Sequence, residues 1–129
     1  AADEAKLGLP EGRLGLIPGA GGTQRITQLC GPSIANRIIL TCEIVGGKTA
    51  LQLGLVQWAA PRAELPAMAK EMIDGWAGLS PAAIQAAKKC IAAAQDPAQD
   101  GFDKEIEVSL ELVQNPDSLK RVVAFFENR

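Results

Sequence analysis

From Leu65 to Trp76 the apolar residues Leu65, Met68, Ala69, Met72, Ile73 and Trp76 recur at i, i+3, i+4 and i+7. That period is the stripe of an amphipathic helix, and it predicts one here, ended by Gly78. Ser80-Pro81 then opens another helix, with a cap residue followed by proline at the first helical position. Its apolar stripe is Ala83, Ile84, Ala87, Cys90, Ile91 and Ala94. A further helix is expected over about Asp103–Gln114, with Ile106, Leu110 and Val113 on one face and Val108 and Leu112 on another. Asn115-Pro116 restarts the chain into a last helix, with Leu119, Val122, Val123 and Phe126 inward.

The first half reads differently. Gly8, Gly12, Gly15, Gly19, Gly21 and Gly22, with Pro10 and Pro18 among them, break any long element and predict a shaped loop. From Thr23 the helical spacing returns with Ile26, Leu29 and Cys30, until Gly31-Pro32 stops it. A second helix is expected from Pro32 to about Leu40, with Ile34 and Ile38 on one face. Gly46-Gly47 opens a short helical turn, and Leu55–Trp58 reads as a brief strand closed by Pro61. The pattern therefore predicts a mostly α chain with two or three short strands, near residues 6–8, 14–17 and 55–58. Val108, Leu112 and Phe125 lie off the main stripes, so the last two helices are apolar on more than one side. A second chain or a missing half is expected to pack there.

Composition narrows the field. Of the 129 residues 47% are hydrophobic, which suits a folded chain and not a disordered one. No apolar run approaches the roughly 20 residues needed to cross a bilayer, and no signal-peptide pattern is visible at the start. A start at Ala1-Ala2-Asp3 fits a processed or cut product, or a sequence lacking its true beginning. Thirteen basic and 15 acidic residues give a net charge of −2. The adjacent basic pairs Lys88-Lys89 and Lys120-Arg121 do not make the basic face that phosphate-backbone binding requires, so no nucleic-acid role is expected.

Cys30, Cys42 and Cys90 are widely spaced, and the chain has no histidine. That argues against a zinc site and removes the usual general base of Ser-His-Asp and Cys-His hydrolases. The cysteines read as small buried hydrophobes in a reducing compartment, and a cytoplasmic, soluble chain is expected. Acid–base chemistry would fall to carboxylates.

Two features could carry it. Gly19-Ala20-Gly21-Gly22-Thr23 leads into a helix N-terminus, where backbone N–H groups favour anions or polarised oxygens. It matches neither phosphate template: Gln24 stands where the dinucleotide fingerprint needs glycine, and no lysine follows. A structural turn and a ligand-facing loop both remain open. Glu11 follows Pro10 and lies between Leu9, Gly12 and Leu14. A carboxyl held among apolar groups takes up a proton more readily and can shuttle one near neutral pH, whereas a solvated loop glutamate would do nothing of the kind.

The run Pro10-Glu11 followed by Leu14-Gly15-Leu16-Ile17-Pro18-Gly19-Ala20-Gly21-Gly22-Thr23-Gln24-Arg25 resembles the signature of the enoyl-CoA hydratase/isomerase (crotonase) family. The likeness continues through Leu40-Thr41, Ala50 to Val56, and Ala86-Ala87-Lys88 to the terminal Ala124-Phe125-Phe126-Glu127-Asn128-Arg129. It implies the C-terminal part of an α/β crotonase-like fold. Residues 1–60 would end the spiral core and carry the glutamate and glycine-rich loop, and 61–129 would form a helical trimerisation region.

The resemblance also implies that Glu11 is one of two catalytic carboxylates. The second glutamate and the oxyanion-hole donors would lie upstream of residue 1. Leu14, Leu16, Ile17 and Gly19 would line the acyl-CoA site. Phe125 matches a terminal-helix phenylalanine near that site, often of a neighbouring subunit, although core packing would explain it equally well. Gly12 departs from the family by replacing a branched residue, which would loosen how Glu11 is held. Lys120-Arg121 stand where many relatives have Glu-Gly, and Asn128 replaces a lysine.

The implied activity is reversible hydration of 2-enoyl-CoA thioesters. No separate cofactor is expected, because coenzyme A is part of the substrate, and no metal is implied. Expected partners are the missing N-terminal half or a second chain, in a homotrimer or dimer of trimers. The alternatives are an enoyl-CoA isomerase of the same family or a non-catalytic helical assembly fragment.

Overall fold

A computed structural model describes residues 1–128. They fold as two compact units, Ala1–Met72 and a second beginning at Ile73.

In the first unit, strand β1 (Leu7–Gly8) pairs antiparallel with β2 (Ile44–Val45), Leu7 opposite Val45 and Gly8 opposite Ile44. Between them come a 3-10 helix, Pro10–Leu14, and the long helix α1 (Gly22–Thr41). Helix α1 is broken at Gly31, whose φ of 77° and ψ of 166° are open to glycine but strained for other residues. With Pro32 next, the two expected helices follow one another as a kinked pair. A short helix α2 (Gly47–Gln52) completes the unit's regular elements before α3. Ile26, Ala35, Ile38, Val45 and Ala50 form the core, and Leu7, Leu9, Ile34, Ile39, Leu53, Leu55 and Val56 pack on it.

Two expected strands do not form. At 14–17, Leu14 belongs to the 3-10 helix, Gly15 turns left-handed to close it, and the Leu16 N–H donates back to the Glu11 carbonyl at 3.1 Å. At 55–58, the Leu55 N–H donates to the Ala50 carbonyl at 2.9 Å, and the Trp58 carbonyl accepts from the Ala1 amino group at 2.7 Å. The backbone at 14–17 and at Leu55 closes turns, and Trp58 meets the first residue of the chain beside an isolated parallel bridge of Ala2 with Ala60, so neither stretch builds a ladder. Strand β2, in contrast, is too short to show a period in the sequence.

Helix α3 (Leu65–Ala77) runs across the change from the first unit to the second. In the second unit α4 (Pro81–Ala93) packs on α5 (Gly101–Val113), followed by α6 (Pro116–Glu127). The Asp100 carboxylate accepts from the Phe102 and Asp103 N–H groups at 2.8 and 3.2 Å, capping α5. The Asn115 side-chain oxygen does the same for α6, from Asp117 and Ser118 at 2.9 and 3.4 Å. Ser80 sits at the N-cap of α4, but its hydroxyl makes no capping bond.

The packed faces differ from those expected. Ala86, Ala93 and Val108 are buried, whereas Ile91, Ile106, Leu110 and Val113 are exposed. On α6, Leu119, Val122, Val123 and Phe126 are exposed rather than inward. Small side chains let two helices approach closely, so α4 and α5 meet along alanine, glycine and valine and leave the bulkier stripes outside. The described chain exposes 9392 Å². Even two separate globules of half its mass would together expose only about 7,900 Å².

Candidate active site

The Leu9–Thr23 stretch is held by short local bonds. Pro10 starts the 3-10 helix with its fixed φ, and Glu11 sits in the first turn. The backbone carbonyl of Glu11 accepts from Leu16, and that of Gly12 accepts from Gly15 at 3.2 Å. Arg13 Nη2 reaches over to donate to the Cys42 carbonyl at 3.2 Å, tying this helix to the residue that ends α1.

Glu11 is half-buried, and its Oε2 is sealed from solvent without a hydrogen-bond partner. A buried carboxylate oxygen left unsatisfied is uncommon, because it gives up hydration and gains nothing in return.

The glycine-rich loop leads on into α1. Pro18 is buried, and the Gly22 N–H donates to its carbonyl at 3.1 Å. Arg25 folds back so that Nη1 donates to the Ala20 carbonyl at 2.7 Å. The loop is therefore braced by its own helix. A cleft of about 250 Å³ lies alongside, bordered by Leu9, Gly22, Arg25, Ile26, Leu29 and Leu55 among others. Gly22, Arg25, Ile26 and Leu29 all come from α1, and only folding brings Leu9 and Leu55 to them.

Of the sequence candidates, Leu14, Leu16 and Ile17 are 76%, 62% and 73% exposed, and Gly19 is exposed as well. None of them borders that cleft. Phe125 belongs to the second unit, where its ring stands edge-on to Phe126 at 5.6 Å and 78°. Arg129, the end of the terminal motif, lies outside the described residues. Among the described residues no cluster of His, Cys, Asp and Glu could hold a metal ion. No described helix is long and apolar enough to cross a membrane.

The family model of enoyl-CoA hydratase/isomerase matches residues 1–129. The chain belongs to that family. It is 35% identical over its whole length to the 2,3-dehydroadipyl-CoA hydratase of Escherichia coli K12, covering 51% of that protein. It is 32% identical to the short-chain-enoyl-CoA hydratase of Clostridium acetobutylicum, covering 50%. Against the crystal structure of an enoyl-CoA hydratase from Bacillus anthracis it has a TM-score of 0.88 and 35% identity, covering all of this chain and 50% of that one.

This enoyl-CoA hydratase/isomerase family member thus has the crotonase-like fold of its solved relatives, here as a mostly helical part with two short strands. The chain spans about half the length of the curated relatives it matches.

Proposed function

We propose that the complete protein is a 2-enoyl-CoA hydratase and that Glu11 is its proton-transfer carboxylate. The observation that carries this reading is the sealed, unpartnered Oε2 of Glu11, set in a braced turn within a chain of this family. In the hydration, the oxygen of water bonds to the β-carbon and a proton reaches the α-carbon, while negative charge gathers on the thioester oxygen. Glu11 exchanges the proton with water or the α-carbon. A second glutamate and the backbone donors that stabilise the oxyanion belong to the remainder of the protein.

Leu14, Leu16 and Ile17 contribute apolar wall to the acyl site once that remainder is present, with Gly19 in the adjoining loop and Phe125 facing the acyl-CoA of a neighbouring subunit. Coenzyme A enters as part of the substrate and no further cofactor is needed. The assembly is a trimer or dimer of trimers, and three free cysteines fit a cytoplasmic setting.

The test is Glu11→Gln in the complete protein, with crotonyl-CoA as substrate. Glutamine keeps the shape but cannot exchange the proton, and a positioned acid–base group supplies roughly a 10²–10⁴-fold effect. That corresponds to about 3–5 kcal/mol of barrier. Rates above about a tenth of wild type would exclude Glu11 from proton transfer. The 129-residue chain alone is expected to be inactive. A substrate-bound structure with Leu14, Leu16 and Ile17 all far from the acyl chain would remove them from the pocket wall.

A further inference from the structure

The turn that carries Glu11 is shaped by the end of α1. Cys42 follows that helix, is only 7% exposed, and is a non-glycine residue with a positive φ, 51°. That left-handed conformation is strained for a residue with a side chain and free for glycine. A Cβ built on Gly12 would lie 3.0 Å from the Cys42 sulfur and 3.8 Å from the Ile39 carbonyl oxygen. The first distance is tighter than ordinary carbon–sulfur contact, so the thiol fills the space a side chain on residue 12 would need. The Cys42 thiol points at the Ile39 carbonyl, 3.6 Å away, and the Cys42 carbonyl accepts the Arg13 guanidinium at 3.2 Å. Cys42 thus binds Arg13 through its carbonyl, and its sulfur occupies the space that a side chain on Gly12 would take.

We infer that Cys42 is a positioning residue for Glu11: its thiol against Gly12 and its carbonyl on Arg13 set where the 3-10 helix sits. This rests on the role proposed for Glu11 above. Residues 12 and 42 share one small volume, so the side chain missing from Gly12 is compensated by the one present on Cys42. If residue 12 gains a side chain, either the helix or the thiol must move. Displacing a reacting group by about 1 Å can cost on the order of 10²-fold in rate. The loss would fall on kcat, because Glu11 moves a proton and does not hold the bulk of the substrate.

The experiment is a double-mutant cycle in the complete protein, with Glu11→Gln alongside and crotonyl-CoA as substrate. Gly12→Val should lower kcat by about tenfold or more while KM stays within about twofold. Adding Cys42→Gly to Gly12→Val empties the contested space and should return kcat to within roughly threefold of that of Cys42→Gly alone, a clear departure from additivity. Should Gly12→Val fail to fold by circular dichroism, Gly12→Ala with the same partner completes the cycle. If Glu11→Gln is inactive but the cycle is additive, the inference falls and the reading of Glu11 stands. The inference falls likewise if only KM or melting temperature moves. If Glu11→Gln stays active, both fall together.

Discussion

The two units bury their apolar residues in opposite fashion. In the first, Ile38 is 1% exposed and Ala50 0%, and side chains from both strands and from α1 and α2 close around them. In the second, the buried apolar residues are Ala86, Ala93 and Val108, while Phe102 is 82% exposed and Ile91, Ile106 and Phe126 are exposed with it. Ala86 and Ala93 are seven residues apart on α4, as are Gly101 and Val108 on α5, so the two helices meet along one narrow seam of small residues. Burying alanine removes little apolar surface from water, so the seam brings the helices close without supplying much stability. The first unit has a core of its own. The second leaves its bulkier apolar helix faces exposed, in a chain that spans about half the length of the relatives it matches.

That contrast can be broken by mutation. After the loss of turnover expected for Glu11→Gln, the next largest effect is predicted for Ile38→Ala, at about 2–5 kcal/mol of stability for a large side chain removed from a closed core. Leu110→Ala is the counterpart in the second unit. If a second copy covers its stripe, the cost should approach that of a core residue, and sedimentation of the complete protein should show a trimer or larger. If the stripe stays in water, the change should lie within about 0.5 kcal/mol. A clean monomer at micromolar concentration, with Leu110→Ala neutral in thermal melts, would show the exposed faces to be bare in solution.

The same contrast explains what the sequence could reveal. The helices from α3 to α6 were legible because a period of 3.6 and the signals Gly78, Ser80-Pro81 and Asn115-Pro116 are local. Which face of each helix packs was not, because Ile106 and Val108 are equally apolar and only the neighbouring helix decides between them. The strands expected at 14–17 and 55–58 failed for a related reason: Leu16 and Leu55 have strand-like neighbours but give their N–H groups to turns. Glu11 became a candidate through the motif around it, while the sealing of its Oε2 has no sequence signal and the Cys42 thiol beside Gly12 comes from packing across some thirty residues.

Smaller effects are expected at the caps and the exposed ion pairs. Asp100→Ala and Asn115→Ala each leave the first N–H groups of α5 and α6 unpaired and should cost about 1 kcal/mol apiece in thermal melts. Losses near zero at both would mean that these helix starts are already frayed in the second unit.

The smallest effect, and the one with a pH signature, lies at the start of α6. Arg121 Nε donates to Asp117 Oδ2 at 2.7 Å, and its Nη1 donates to the Gly78 carbonyl at 2.8 Å. The Arg121 guanidinium holds the Asp117 carboxyl below the usual carboxylate range. A carboxylate whose folded value is depressed contributes stability that is fully present above its unfolded value, near 3.9, and is lost as pH falls through the folded value. Arg121→Ala should therefore lower the melting temperature slightly at neutral pH, and the gap to wild type should narrow as pH is taken from about 5 towards about 3. What persists at low pH is the bond to Gly78, which does not titrate. The side chains are 46% and 50% exposed, so water and salt screen the pair, and added salt should shrink the neutral-pH gap in the same direction as acid. A gap that does not narrow on acidification would mean that the Asp117–Arg121 pair adds nothing measurable to stability.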